Sequence, residues 1–287
     1  MEFVKSHGLG NDYIVLEKNK IDFILNEKNI RLICNRNIGI GSDGILVFEK
    51  INDNEFTVRI FNPDGSEAEK SGNGLRILAK YIYDYGFTSQ KEFFIHTLGG
   101  KVKANIIEEK NNKAKIVEIE MGKITFNTKE IPVNAKEEEE IIDKELEIDH
   151  EKIKITCLSI GNPHCVFFVD NIDEEKIKKL GPILENHPLF PNRTNVQMVK
   201  VISPKKIEIR IWERGAGYTL ASGSSSCAAA SAAYRKGLVN NYVEVLMPGG
   251  ELKIRINKDW TVNLIGPVEE VFKGQFSEEF LEKLKEI

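Results

Sequence analysis

Cysteine is scarce in this chain and poorly spaced for metal or disulfide chemistry. The four present are Cys34, Cys157, Cys165 and Cys227. None forms a Cys-x-x-Cys pair, and none sits near histidine at zinc-ligand spacing. They read as free, mostly packing thiols of a reducing compartment, with no metal site. Long apolar runs are missing too: no stretch approaches the ~20 residues that span a bilayer. The start, Met1-Glu2-Phe3-Val4-Lys5-Ser6, lacks the apolar core of a signal peptide, so the expectation is a cytoplasmic protein with no membrane partner. Positive charge is not in excess either. A formal net charge of −4 gives no reason to expect a nucleic-acid partner, which needs a concentrated basic face.

What is present describes an ordinary folded chain, 41% hydrophobic and 29% charged. Its 287 residues exceed the usual single-domain size, so two domains of about 140 residues fit the length.

The order within that length is a repeat. Gly10-Asn11 recurs as Gly161-Asn162, Val58-Arg59-Ile60-Phe61 as Ile209-Arg210-Ile211-Trp212, Ser71-Gly72 as Ser222-Gly223, and Gly86-Phe87 as Gly237-Leu238, always 151 positions later. Gly99-Gly100 and Gly249-Gly250 follow at 150, one deletion on. Two matched units in one chain predict a pseudo-two-fold axis with a cleft between halves, each half delivering one serine-glycine helix start to the same relative place.

Strand patterns open each half. Tyr13-Ile14-Val15-Leu16 follows Gly10-Asn11, and Cys165 to Val169 follows Gly161-Asn162-Pro163. The stretches 56–61 and 207–212 alternate with period two and predict half-buried strands. Each leads through a glycine-rich loop into a helix, Gly72 to Tyr85 and Gly223 to Lys236, closed by Gly86 or Gly237. The second helix carries Cys227-Ala228-Ala229-Ala230-Ser231-Ala232-Ala233, small on every side, which suits a helix enclosed by sheet. Residues 123–150, with Glu137 to Glu140, read as strand-and-loop linking sequence with a solvated face. Phe276, Phe280, Leu281 and Leu284 behind Ser277 predict an amphipathic closing helix.

Gly39-Ile40-Gly41-Ser42-Asp43-Gly44 fits the dinucleotide pattern G-x-G-x-x-G, but that pattern should follow a strand and open a helix. Here a predicted helix, Ile30 to Asn35, precedes it and a strand run, Ile45 to Phe48, follows, so no nicotinamide cofactor is expected. The two serine-glycine sites carry more. Glycines ahead of a helix leave its first N–H groups facing outward, where an anion is attracted by them and by the dipole. Two such ends converging on one point would cradle a single carboxylate. Serine as a plain N-cap explains either serine alone. It does not explain the glycine and asparagine richness or the mirrored placement.

With these stretches in view, the chain resembles the diaminopimelate epimerase family along nearly its whole length. The matching blocks are His7 to Asp12, Gly39 to Gly44, Asn62 to Ala68, Gly72-Asn73-Gly74, Gly161 to His164, Thr194-Asn195, Glu213 to Gly217 and Gly266-Pro267. The resemblance implies an α+β fold of two pseudo-symmetric domains, each a mixed sheet around a central helix, with the active site in the interdomain cleft. The first domain is expected over 1–120 plus 275–287 and the second over 121–274. It also implies a homodimer acting on a small amino-acid substrate, with no cofactor and no metal, by two-base proton transfer at the α-carbon.

The family's two bases are cysteines before the glycine-rich helix starts; this chain has Ser71 and Ser222 there, Tyr218 where a glutamate is usual, and Ser224-Ser225 in place of Thr-Gly. Asn62, Asn162, Asn195, Glu213 and Arg214 match residues that hold the substrate's distal amino and carboxylate groups. Arg214 suits a bidentate carboxylate contact and Glu213 an ammonium. Asn11, Gly72, Asn73, Gly223 and Ser224 complete the expected substrate-binding set. His164 lies in a mirrored turn and is the nearest alternative base, though a structural hydrogen bond is the favoured role. Three readings stay open: epimerisation of LL-diaminopimelate to the meso form, impaired by the serines; an inactive amino-acid-binding protein; and a racemase or tautomerase for another small carboxylate.

Overall fold

A computed structural model describes residues 1–135, 139–149 and 151–286; Glu137 and Glu138 of the acidic run lie outside them. The chain divides into two units, Met1–Ile119 with Gly266–Ile287, and Glu120–Ile265. In the first, the order is β1 (Glu2–Gly8), β2 (Asn11–Glu17), α1 (Glu27–Cys34), β3 (Ile45–Lys50), β4 (Glu55–Phe61), β5 (Glu67–Ala68), α2 (Gly72–Asp84), β6 (Glu92–Thr97), β7 (Gly100–Lys110) and β8 (Lys113–Lys123). The second runs β9 (Lys144–Ile148), β10 (Glu151–Ser159), β11 (Pro163–Phe168), α3 (Glu174–Glu185), β12 (Asn195–Ser203), β13 (Lys206–Glu213), β14 (Gly217–Thr219), α4 (Gly223–Arg235), β15 (Tyr242–Met247), β16 (Gly250–Ile256) and β17 (Thr261–Pro267). Then β18 (Glu269–Gln275) and α5 (Glu278–Glu286) return to the first unit.

The two units share one pairing scheme. In the first, β1–β2 is antiparallel, β2–β3 parallel, β3–β4 antiparallel, β4–β6 parallel and β6–β7 antiparallel. In the second, β10–β11, β11–β12, β12–β13, β13–β15 and β15–β16 repeat that series in the same senses. Even the flanking strand recurs: β9 lies antiparallel to β10, as β18 does to β1. The last pairing moves the domain boundary. Residues 266–274 were expected with the second half, but β18 zips onto β1 from Glu2↔Gln275 to His7↔Glu269 and so belongs to the first unit.

Burial explains the mixed pairing. β2 and β3 are buried almost continuously, as strands covered on both faces are. On one face Ile14, Leu16, Ile45 and Val47 pack with Ile30 and Ile33 of α1 and with Phe276 and Leu284 of the tail. Across the sheet, Phe48 meets Tyr81 of α2 edge-on at 5.3 Å between ring centroids. The second unit repeats this layering: Cys165, Phe167, Val196 and Met198 pack with Ile177, Leu180 and Leu184 of α3, while Gln197 reaches the other way to Ser225 of α4.

The central helices are enclosed. All of α2 from Gly72 to Ile82 is buried, including Lys80, which pairs with Asp84 at 2.6 Å and donates to the Ala114 carbonyl. In α4 the alanines from 228 to 233 are fully buried, and their small side chains let strands β10 to β13, β15 and β16 close in. The tail helix forms behind Ser277, whose Oγ accepts the Phe280 N–H, and buries Phe276 and Leu284. The glycine pattern at 39–44 has a packing origin: a Cβ on Gly39 would stand 1.9 Å from the Leu32 carbonyl oxygen. The loop follows α1 and enters β3, opening no helix. All four cysteines are buried, and none is in a disulfide. No helix among the described residues is long and apolar enough to cross a membrane.

Candidate functional site

In the first unit, the turn before α2 leaves Ser71 extended (φ −137°, ψ 118°), so its Oγ caps the helix by accepting the Gly74 N–H at 3.1 Å. The Tyr13 hydroxyl lies 3.2 Å from the same Oγ. A side-chain chain then ties the helix start to the β1–β2 turn. Arg76 donates to Asn73 Oδ1 (2.9 Å) and to the Gly72 carbonyl (3.2 Å), Asn73 Nδ2 donates to Asn11 Oδ1 (3.1 Å), and Asn11 Nδ2 donates to Asp43 Oδ2 (3.1 Å). Asp43 is held by Arg36, which also grips Asp12 at 2.7 Å. Burial works against ionisation of Asp12, but hydrogen bonds from Arg36 and Lys5 outweigh it and hold the carboxyl at about 2. Each amide end of Asn11 keeps one further hydrogen-bonding position. Asn62 lies in the β4–β5 turn, half-buried, donating to Ser66 Oγ at 3.0 Å.

In the second unit Ser222 occupies the same place before α4 and accepts the Ser225 N–H at 3.4 Å. Gly223 is buried beside it and Ser224 is half-buried. Glu213, half-buried at the end of β13, faces this helix start: burial pushes its carboxyl up, while the neighbouring Ser222 and Thr219 side chains pull it back. Among the described residues Glu213 has no cationic partner. The adjacent Arg214 is exposed, donates to the Asn192 carbonyl at 3.2 Å and pairs with no described carboxylate. Asn195, buried on β12, accepts the Arg214 N–H at 3.0 Å and donates to the Pro163 carbonyl, so in this structure it shapes the loop.

His164 is fully buried and shares a hydrogen bond of 3.1 Å between Nε2 and Asn162 Oδ1. Burial pushes its imidazole down to about 3, the neighbouring Gln197 side chain opposes this, and the Arg214 charge adds to the depression. A neutral ring of that basicity is a weak base at pH 7.

The structure thus links Asn11, Ser71, Gly72 and Asn73 at one helix start, Glu213 with Ser222, Gly223 and Ser224 at the other, Asn195 with Arg214 in the loop after β13, and Asn162 with His164. Asn62 makes its contacts within its own turn. Three contributors were missed from sequence. Tyr13 contacts Ser71, and its counterpart 151 positions on is His164; the repeat itself could have drawn attention to it. Asp43 orients Asn11, and Glu185 of α3 accepts the Gly215 N–H at 2.9 Å. No group of three His, Cys, Asp or Glu residues able to hold a metal occurs among the described residues.

A family model described as diaminopimelate epimerase matches residues 3–127 and 156–271. The chain is 47% identical over 280 residues to diaminopimelate epimerase 2 of Nostoc sp., covering 97% of this chain and 96% of that one. To the diaminopimelate epimerase of Carboxydothermus hydrogenoformans it is 41% identical, covering 96% and 99%. Among solved structures, a hydroxyproline epimerase from Agrobacterium vitis, with bound trans-4-hydroxy-L-proline, superposes with a TM-score of 0.69 at 13% identity, covering 96% of this chain and 90% of that one. A methylitaconate-delta-isomerase gives 0.62 at 14%, covering 98% and 97%. At such identities the likeness is one of fold.

Proposed function

The chain belongs to the diaminopimelate epimerase family, a family of isomerases, and from that premise we propose that its substrate is LL-diaminopimelate, epimerised slowly to the meso form. The observation that carries this reading is the pair Glu213 and Arg214: among the described residues, a half-buried carboxyl without a cation beside an exposed guanidinium without a carboxylate. A ligand with an ammonium and a carboxylate at its end supplies both missing partners.

Inversion at carbon requires a group that removes the α-proton on one face and a group that returns a proton on the other. Ser71 and Ser222 are the groups we assign to those roles. Each stands at a helix start, where N–H groups and the dipole favour negative charge on the cap side chain and on a neighbouring carboxylate. A thiol, with an ordinary pKa of ~8.5, reaches the thiolate in such a place; a hydroxyl starts several units higher, and each unit is worth ~1.4 kcal/mol. Turnover is therefore slow, while binding persists.

Solvent deuterium exchange at the α-carbon tests this. The parent chain should bind diaminopimelate, measured by calorimetry, but exchange slowly. Ser71→Cys with Ser222→Cys raises exchange strongly, and either change alone far less, since both faces must be served. Absence of binding overturns the substrate assignment. Brisk exchange that survives Ser71→Ala and Ser222→Ala shows that other residues do the chemistry.

A further inference from the structure

The loop that presents Glu213 and Arg214 is held at Arg214 by Asn195 and the Asn192 carbonyl and closes with the Ala216 N–H on the Glu213 carbonyl, but its own side chains make no bond within the turn. Arg214, Gly215 and Ala216 are exposed, and Gly215 and Gly217 both take φ of +79°. The equivalent turn of the first unit closes on itself: Asp64 Oδ1 accepts both the N–H and the Oγ–H of Ser66, and Asn62 Nδ2 donates to that same Oγ. Nothing in Gly215-Ala216-Gly217 can do this, because those residues carry no polar side chain.

A carboxylate from another element stands in for the missing contacts. Glu185, the last residue of α3, is only 6% exposed. Its Oε1 accepts the Gly215 N–H at 2.9 Å and a guanidinium N–H of Arg193 at 3.1 Å. Its Oε2 accepts the indole N–H of Trp212 at 2.7 Å. Two of the three donors therefore come from the residues that bracket Glu213 and Arg214. The helix can deliver the carboxylate because residue 181 is glycine: a Cβ there would come within 2.5 Å of Trp212 Cγ. Trp212 thus lies against the helix backbone with its N–H aimed at the helix end.

We propose that Glu185 is the positioning residue that fixes the Glu213–Arg214 loop, and with it the grip on the distal end of an amino-acid ligand. This rests on the reading of those two side chains as ligand contacts. Glu185 touches no substrate; it acts through Trp212 and Gly215. Hydrogen bonds to a buried carboxylate are of the stronger, charge-assisted kind, so releasing one loosens a loop whose other anchors, Asn195 and the Asn192 carbonyl, hold it only at Arg214.

Glu185→Gln keeps the shape but replaces one acceptor oxygen with an NH2 group, which must then face one of the three donors. In the full-length chain we expect amide exchange at 213–217 to quicken about tenfold, as the loss of one charge-assisted bond implies. Diaminopimelate binding, by calorimetry, should weaken by about the same factor, while exchange within α3 and the melting temperature stay near the parent values. Trp212→Phe, which removes the indole donor along with part of the ring, should move the same readouts in the same direction by a few-fold. Exchange at 213–217 that stays at the parent rate in either folded variant overturns the proposal, as does a uniform rise across the second unit, which marks a role in stability alone. If the parent does not bind diaminopimelate, the functional reading fails, and the exchange data still decide the role of Glu185.

Discussion

Burial and hydrogen bonding set the protonation of individual side chains here, and three of them tie stability to pH. His164 is held neutral, at about 3 in the folded chain against 6.5 when free. Below pH 6.5 the unfolded chain takes up a proton that the folded one refuses, so this contribution is complete above 6.5 and declines as pH falls toward 3. Asp12, held at about 2 against 3.8, adds its own loss as pH falls from about 4 toward 2. Glu213, raised by burial, works in the opposite sense. The difference between the parent and His164→Gln isolates the first effect. Between pH 6 and 4 the parent should lose up to ~1.4 kcal/mol per pH unit relative to the variant, measured by urea unfolding at stepped pH. A constant difference across that range would mean the imidazole titrates normally. At this scale the sequence was legible where chemistry is local: Ser71 and Ser222 announce themselves as caps before glycine. Glu185 was not, because its partners lie 8, 27 and 30 residues along the chain.

At the scale of the element, each serine does two jobs that pull apart. As an N-cap it stabilises its helix by ~1 kcal/mol, through one accepted backbone hydrogen bond. As a proton-transfer group it is inferior to a thiol, and sulfur is the weaker acceptor. Cysteine at 71 should therefore raise α-proton exchange yet lower the urea midpoint, by an amount near that of Ser71→Ala. The penalty at 222 should be smaller, because its cap bond is longer, 3.4 Å against 3.1 Å. Equal or higher midpoints for the cysteine forms would show that the hydroxyls do not cap in solution. Helices with clean ends, α2 and α4, were readable to within a residue. α3 drew no expectation, since Gly181-Pro182 interrupts the helical pattern, although Ile177, Leu180 and Leu184 keep the spacing of its buried stripe and Asp173 caps it.

At the scale of the whole molecule, the repeat at one constant offset foretold that both halves follow one strand order, because equal patterns of alternation and turn fold to equal topologies. It could not say which strand flanks β1. In the second unit the flanking strand is the preceding hairpin arm, β9; in the first it is β18, more than 260 residues away. Non-local pairing of that kind leaves no mark in a local pattern. The same return of the chain brings α5 against α1, where Phe276 and Leu284 are buried and Asn29 Nδ2 donates to the Leu284 carbonyl at 2.7 Å. Removing residues 276–287 should expose the α1 face of the first unit and cost ~3–6 kcal/mol from the two large side chains alone. Amide exchange should quicken in α1 and along β2 and β3, while α3 and β12 of the second unit keep the parent rates. A truncated chain that melts with the parent, or that loosens both units equally, would show that the tail is not part of the first unit's core.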